Sequence, residues 1–82
     1  MKSLQMILLF VEISKKHIPA IDDTDLEYDL RHLDIDESGP ICSDSQLLDI
    51  FIEATHNQMG ENELYPIIEK ICLEYCNSVK TS

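Results

Sequence analysis

The chain has 82 residues, of which 44% are hydrophobic, and this length and composition predict a single globular domain covering residues 1–82. Sixteen acidic residues face six lysines and arginines, so the formal net charge at pH 7 is -10. Such a charge repels nucleic acid and anionic membranes, whereas it attracts basic proteins. We therefore expect a basic protein partner, and neither direct nucleic-acid binding nor membrane binding. The alternative is that the acidity only keeps a small protein soluble.

The first predicted helix covers residues 4–16 and is apolar on nearly every face. Lysines at its C-terminal end interact favourably with the helix dipole. Pro19 ends the helix because the residue before a proline avoids the α conformation. Such a helix lies either at the centre of a bundle or against another chain, so a homodimer is an alternative. Four of its apolar residues recur at helical spacing: Leu4, Ile7, Leu8 and Val11.

An acidic segment follows, since residues 22–37 contain half of all the acids and only one arginine. We expect Asp22, Asp23 or Thr24 to cap a short helix that runs to about His32. The apolar seam of this helix faces the core, and its acids point outward. The seam consists of Leu26, Leu30 and Leu33.

Two more helices are predicted in the second half of the chain. The third covers residues 45–57, and Gly60 ends or follows it. The fourth carries a regular apolar stripe, and because proline is tolerated in a first turn, its regular part is expected to begin near Tyr65 or Pro66. Strand-type alternation persists nowhere, so the sequence predicts an all-α fold, a small bundle of about four helices with no sheet.

The cysteines are Cys42, Cys72 and Cys76, an odd number, and no secretory signal is apparent, so reduced thiols in a cytoplasmic protein are expected. Cys72 and Cys76 share one helix face, where two zinc ligands would fit. No paired spacing supplies the remaining ligands, so we expect buried or half-buried thiols, no cofactor and no metal site. Phosphate-binding loops and catalytic motifs are also absent, so the chain is not expected to be an enzyme.

The string "DIDESGPICSDS" begins with oxygen-bearing side chains at alternate positions, Asp34, Asp36 and Ser38, followed by Gly39. This opening resembles the calcium loop of the EF-hand family, in which such oxygens converge on the ion. The last position of that loop, where the family has a bidentate glutamate, is Ser45. We therefore expect an acidic turn and no working calcium site, with a degenerate EF-hand-like module as an alternative.

A carrier or adaptor domain is a further alternative. Acyl carrier proteins are acidic four-helix domains of this size, and they attach their cofactor to a serine at a helix start. The sequence Asp44-Ser45-Gln46 partly resembles that attachment motif.

The string "THNQMGENELYP", residues 55–66, contains a helix end, a glycine and a short acidic element that carries a tyrosine and ends in proline. It is similar to a segment of the immunity proteins that neutralise colicin-type nucleases, which are also small, acidic and helical. Phage-borne inhibitors of host nucleases share this size and acidity. The resemblance implies an inhibitor whose contact residues include Glu61, Glu63 and Tyr65.

We therefore expect a binding protein that inhibits a basic partner, a nuclease or a nucleic-acid-binding effector, as immunity proteins, antitoxins and phage inhibitors do. Carboxylates on a short helix and its following turn present negative charge at spacings comparable to those of a phosphate backbone. Tyr28 is the residue beside them that we expect to anchor the partner. A solvated helix face is the alternative explanation. The predicted partner-binding residues are Asp22, Asp23, Asp25, Glu27, Tyr28, Asp29, Asp34, Asp36, Glu37, Glu61, Glu63 and Tyr65.

Overall fold

A computed structural model describes residues 4–33, 41–43 and 45–81, and within these ranges every regular element is helical. The predicted all-α bundle of about four helices is therefore confirmed. No helix in the described ranges has both the length and the apolar character needed to cross a membrane. The elements are α1 (Leu4–His17), α2 (Asp23–Arg31), a short 3-10 helix (Ile41–Ser43), α3 (Leu47–Ala54) and α4 (Glu61–Thr81).

The helices are arranged as a closed ring. Each helix packs against the next along the chain, and α4 packs back against α1. As a result α1 and α3 each lie between α2 and α4. The described part of the molecule measures 32 × 23 × 20 Å.

The centre of the core is a cluster of three aromatic rings. The ring of Phe10 meets the ring of Phe51 at a centroid distance of 6.0 Å and the ring of Tyr75 at 5.2 Å, both at an interplanar angle of 80°. All three side chains are fully buried. Edge-to-face packing places the positive edge of one ring against the negative face of another, which stabilises the pair beyond area burial. Phe10 thereby joins α1 to both α3 and α4.

Helix α2 attaches to this centre through its apolar seam and its first turn. The seam residues Leu26, Leu30 and Leu33 are all buried, as predicted. The N-cap is Asp22, whose Oδ1 accepts a 3.1 Å hydrogen bond from the Asp25 N–H. The Asp22 N–H in turn donates to the Ala54 carbonyl at 2.8 Å, so the start of α2 is fixed to the end of α3.

Only part of the apolar stripe predicted on α1 is buried. Leu4 and Leu8 are 48% and 44% exposed, whereas Phe10 and Ser14 are completely buried. Ser14 is accommodated in the core because its hydroxyl donates to the Phe10 carbonyl at 2.8 Å. The buried face of α1 consists of Ile7, Phe10, Val11, Ile13 and Ser14.

Helix α4 begins at Glu61, one turn before the start near Tyr65 or Pro66 that the proline suggested. The reason is a cap formed by Gly60 and Glu63. The Gly60 carbonyl accepts from the Glu63 N–H at 3.1 Å, and Glu63 Oε1 accepts from the Gly60 N–H at 3.4 Å. The Glu63 carboxylate supplies one half of a capping box and stabilises a start at Glu61. Pro66 therefore lies inside the helix, past its first turn.

The aromatic cluster should dominate stability. We expect Phe10→Ala to lower the free energy of unfolding by about 3–5 kcal/mol, because it removes both ring contacts and leaves a cavity. Leu73→Ala is the control on α4, since Leu73 is 65% exposed, and it should change stability by less than about 0.5 kcal/mol. Urea denaturation followed by circular dichroism measures both. Equal stability of the two variants would contradict the central role of Phe10.

Candidate partner-binding site

The outer face of α2 is less uniformly negative than the sequence suggested. Of the five predicted acids on α2 and its cap, three have a nitrogen partner within hydrogen-bond distance, and two of these partners are permanently charged. The pairs are Asp22 with His56 at 3.1 Å, Asp23 with Lys15 at 3.0 Å, and Glu27 with Arg31 at 2.9 Å. Lys15 reaches Asp23 from α1, so a neighbouring helix supplies a cation that the local sequence lacks.

Asp22, at the first turn of α2, holds this helix to the end of α3. The Asp25 N–H lowers the pKa of the Asp22 carboxyl, and His56 lowers it further. Ligand atoms of Asp22, Asp25 and His56 all lie within 4.8 Å of one another. Both Asp22 oxygens already have partners, however, since Oδ1 caps the helix and Oδ2 meets His56. This geometry serves to hold α2 on the end of α3.

A groove between α2 and α3 is lined by three carboxylates for which the described residues show no ion-pair partner. We call it the α2–α3 groove, and its volume is about 360 Å³. Three of its side chains are acidic, one is histidine, and none is lysine or arginine. Its floor is apolar, because Leu33 and Ile50 are buried. The lining residues are Asp29, His32, Leu33, Gln46, Asp49, Ile50 and Glu53.

Asp29 is the least satisfied acid of this groove. Its Oδ2 atom is buried and accepts no hydrogen bond from any described residue. A buried carboxylate oxygen without a donor loses its hydration and gains nothing in exchange, which is unfavourable for the isolated chain.

Sequence reasoning identified Asp29 but missed Asp49 and Glu53. The two missed acids lie four residues apart on α3, so they share one face of the helix. This spacing was visible in the sequence. What was not visible is that their face lies beside Asp29, because that depends on how α2 packs against α3.

Tyr28 lies at the edge of the α2–α3 groove. Its side chain is 63% exposed, and its ring packs on the ring of His32 at a centroid distance of 4.3 Å. His32 Nδ1 also lies 2.8 Å from the Tyr28 carbonyl oxygen. Because His32 lines the groove, the exposed tyrosine continues the groove surface outward.

The predicted contact residues on α4 do not join this groove. Glu63 takes part in the α4 cap, and neither Glu61 nor Tyr65 lines the α2–α3 groove. Tyr65 instead lines a second groove, of about 440 Å³, which we call the cysteine groove. The residues of the cysteine groove are Cys42, Ser45, Leu47, Leu48, Tyr65, Ile68, Glu69 and Cys72.

The fold brings Cys42, on the 3-10 helix, near Cys72 on α4, so that both line the cysteine groove. The neighbouring Cys72 thiol and burial raise the pKa of the Cys42 thiol, whereas Cys42 lowers the pKa of the Cys72 thiol. Burial raises the pKa of the nearby Tyr75 hydroxyl.

Part of the predicted acidic surface lies outside the described residues. This applies to Asp34, Asp36 and Glu37, and to Ser38 of the EF-hand-like opening. The calcium-loop resemblance and the extension of the acidic surface beyond α2 therefore stay predictions.

A scan against protein-family models, a search of curated proteins and a search of solved structures find no significant match to this chain. What the protein does is therefore inferred from its own residues.

The contacts of the Asp22 carboxylate with the Asp25 N–H and with His56 give a pH-dependent contribution to stability. We expect Asp22→Ala to lower the melting temperature at pH 7, whereas Asp22→Asn, which keeps an acceptor for the cap, should retain most of the stability. The folded chain lowers the pKa of Asp22 below its ordinary value of 3.8. The stabilisation is therefore fully present above that pH and is lost as pH falls through the lowered pKa. Thermal melts between pH 2 and 7 measure this, and a constant difference between wild type and D22A would contradict it.

Proposed function

We propose that this chain is an acidic binding protein that neutralises a basic protein by accepting one of its arginine or lysine side chains in the α2–α3 groove. The observation that supports it is the composition of the groove, where Asp29, Asp49 and Glu53 surround an opening that no lysine or arginine lines. The other acids of α2 are largely committed to Lys15, Arg31 or the helix cap. Among the described acids of α2, Asp29 is the one that lines the groove together with further carboxylates.

The groove chemistry favours a long cationic side chain. Leu33 and Ile50 offer an apolar floor for an aliphatic stem, while the three carboxylates can receive the charged head. A guanidinium carries five N–H donors in a planar fork, so it can bind two carboxylates at once. An arginine therefore satisfies the groove better than a lysine does.

The class of partner follows from charge. A net charge of -10 on 82 residues steers basic proteins toward the chain and accelerates their association. Nucleases and other nucleic-acid-binding effectors carry basic clefts that contact phosphates, so an acidic protein that occupies such a cleft excludes the nucleic acid. We infer an inhibitor of the immunity, antitoxin or phage-inhibitor type, which acts by occlusion and not by catalysis.

Neutralising the groove should abolish this activity. We expect the variant Asp49→Asn/Glu53→Gln to associate at least about tenfold more slowly at low ionic strength with its basic partner, because steering and the carboxylate contacts are lost together. The probe is a purified basic nuclease encoded beside the gene for this chain. Its activity on RNA or DNA is measured with one equivalent of wild-type or variant protein.

The matched control for this variant is Glu12→Gln/Glu69→Gln, which removes the same amount of charge from exposed positions on α1 and α4. The control should inhibit as wild type does. Both variants should fold, since Asp49 and Glu53 are exposed and their mutual repulsion at four-residue spacing is relieved. Equal loss of inhibition in both variants would mean that only net charge matters. Absence of inhibition by the wild type would refute the proposed function.

The two exposed tyrosines distinguish the α2–α3 groove from the surface predicted on α4. Tyr28 adjoins the groove, whereas Tyr65 lines the cysteine groove. We expect Tyr28→Ala to speed dissociation of the partner at least about tenfold, as truncation of a central aromatic anchor does. Tyr65→Ala should leave dissociation within about twofold, because peripheral contacts contribute little. Surface plasmon resonance measures both, and the reverse order would assign binding to α4.

A further inference from the structure

The α2–α3 groove contains a side chain of the type that changes its charge near neutral pH. His32, the C-cap residue of α2, lines the groove together with three carboxylates. Histidine is the side chain whose charge ordinarily changes between pH 5 and 8. The adjacent Arg31 is not part of the groove lining and pairs with Glu27 at 2.9 Å. Among the described residues of the groove, His32 is therefore the one whose protonation supplies a positive charge.

Two contacts hold the imidazole ring of His32 in place. The ring packs on the ring of Tyr28 at a centroid distance of 4.3 Å and an interplanar angle of 33°. Its Nδ1 lies 2.8 Å from the Tyr28 carbonyl oxygen. Because a carbonyl oxygen only accepts, Nδ1 carries the hydrogen of this bond, and Nε2 is the nitrogen that gains or loses a proton. The charge of the imidazolium therefore arises on a ring that is held at the groove.

The charged groups that share the groove with this ring are acids from both helices. Asp29 comes from α2, whereas Asp49 and Glu53 come from α3. The hydrogen bond that the described residues show for His32 goes to the Tyr28 carbonyl and not to a carboxylate. Protonation of the ring consequently changes the charge of the groove without breaking an existing ion pair.

We propose that His32 makes the entry of a cationic side chain into the α2–α3 groove depend on pH, a role that rests on the proposed function. The imidazolium offsets one of the three negative charges of the groove lining and repels a guanidinium, which stays charged throughout this pH range. The neutral imidazole has neither effect. The groove thus accepts an arginine at neutral pH and releases it as the pH falls.

Linkage gives this role a second consequence. If the proton on His32 weakens binding of a cation, the bound cation must weaken binding of the proton by the same factor. Entry of an arginine side chain therefore releases a proton from His32 at any pH where the imidazolium is populated. Specificity for the partner and sensitivity to pH are two effects of one interaction.

The first test uses the free protein. The side-chain carboxyl ¹³C signals of Asp29, Asp49 and Glu53 are followed by NMR from pH 8 to 5, together with the ring signals of His32. In the wild type we expect the carboxyl and ring signals to shift in a shared transition. That transition should be absent from His32→Gln, which stays neutral and should fold because position 32 is exposed. Its persistence in H32Q would overturn the proposal.

The second test measures the affinity for hexa-arginine at pH 7.5 and 5.5 by isothermal titration calorimetry at low ionic strength. We expect the wild type to bind at least about threefold more weakly at pH 5.5, because a unit charge in the groove opposes the peptide. H32Q should show a smaller change. Absence of binding by the wild type at pH 7.5 refutes the proposed function and with it this role of His32. An equal pH dependence in wild type and H32Q refutes the role of His32 alone.

The other two histidines of the chain provide matched controls. His17 pairs with Glu74 at 3.0 Å and His56 pairs with Asp22 at 3.1 Å, and neither histidine lines the α2–α3 groove. His17→Gln and His56→Gln should therefore keep the wild-type pH dependence of hexa-arginine binding. Loss of that dependence in either control to the same extent as in H32Q would show that only total charge matters, and it would overturn the proposal.

Discussion

The packing of Phe10 against Phe51 and Tyr75 is the constraint on which the rest of the molecule depends. These two contacts, at 6.0 and 5.2 Å, set α1 against α3 and α4 at the same point. A chain this short has one small core, so losing one central side chain removes a large share of its stability. Helix α2 has no aromatic core residue and depends on its leucine seam and on the Asp22 contact with Ala54.

That arrangement explains why the acidic groove exists. Because α2 is fixed to the end of α3, the acids on facing sides of these helices have a set separation that an isolated helix would not provide. Asp29, Asp49 and Glu53 line one groove, and Asp29 keeps a buried oxygen to which no described residue donates. An arrangement that is unfavourable in the free chain is a common property of binding sites, where the partner supplies the missing interaction.

The distribution of charge bears on specificity as well as on attraction. Lys15 and Arg31 neutralise acids on the outer face of α2, and Lys16 and His17 contact Glu74 on α4. Such exposed pairs add little stability, but they lower the negative potential where they occur. Among the described residues, neither lysine nor arginine lines the groove. Under the proposed function, the net charge would attract basic proteins in general and the groove would select a single inserted side chain.

The sequence predicted the features that depend on local chemistry. The four helices, the leucine seam of α2 and a cap within residues 22–24 follow from helical spacing and from the preference of acidic residues for the N-cap. The start of α4 lies one turn before the predicted one, because the contact between Gly60 and Glu63 caps the helix there and Pro66 is accommodated inside it. The α2–α3 groove and the cysteine groove are formed by residues distant in the chain, such as Cys42 and Cys72, and no local sequence pattern predicts that these residues lie close together.

The most direct test of the central claim is to map the binding of an arginine-rich peptide on ¹⁵N-labelled protein by NMR. An arginine bound in the α2–α3 groove should shift the amide signals of Asp29, His32, Asp49 and Glu53 in a saturable way, with the largest changes confined to that groove. A lysine-rich peptide of equal charge should bind more weakly. Shifts spread evenly over exposed acids of all four helices, or centred on Glu61 at the start of α4, would contradict the account.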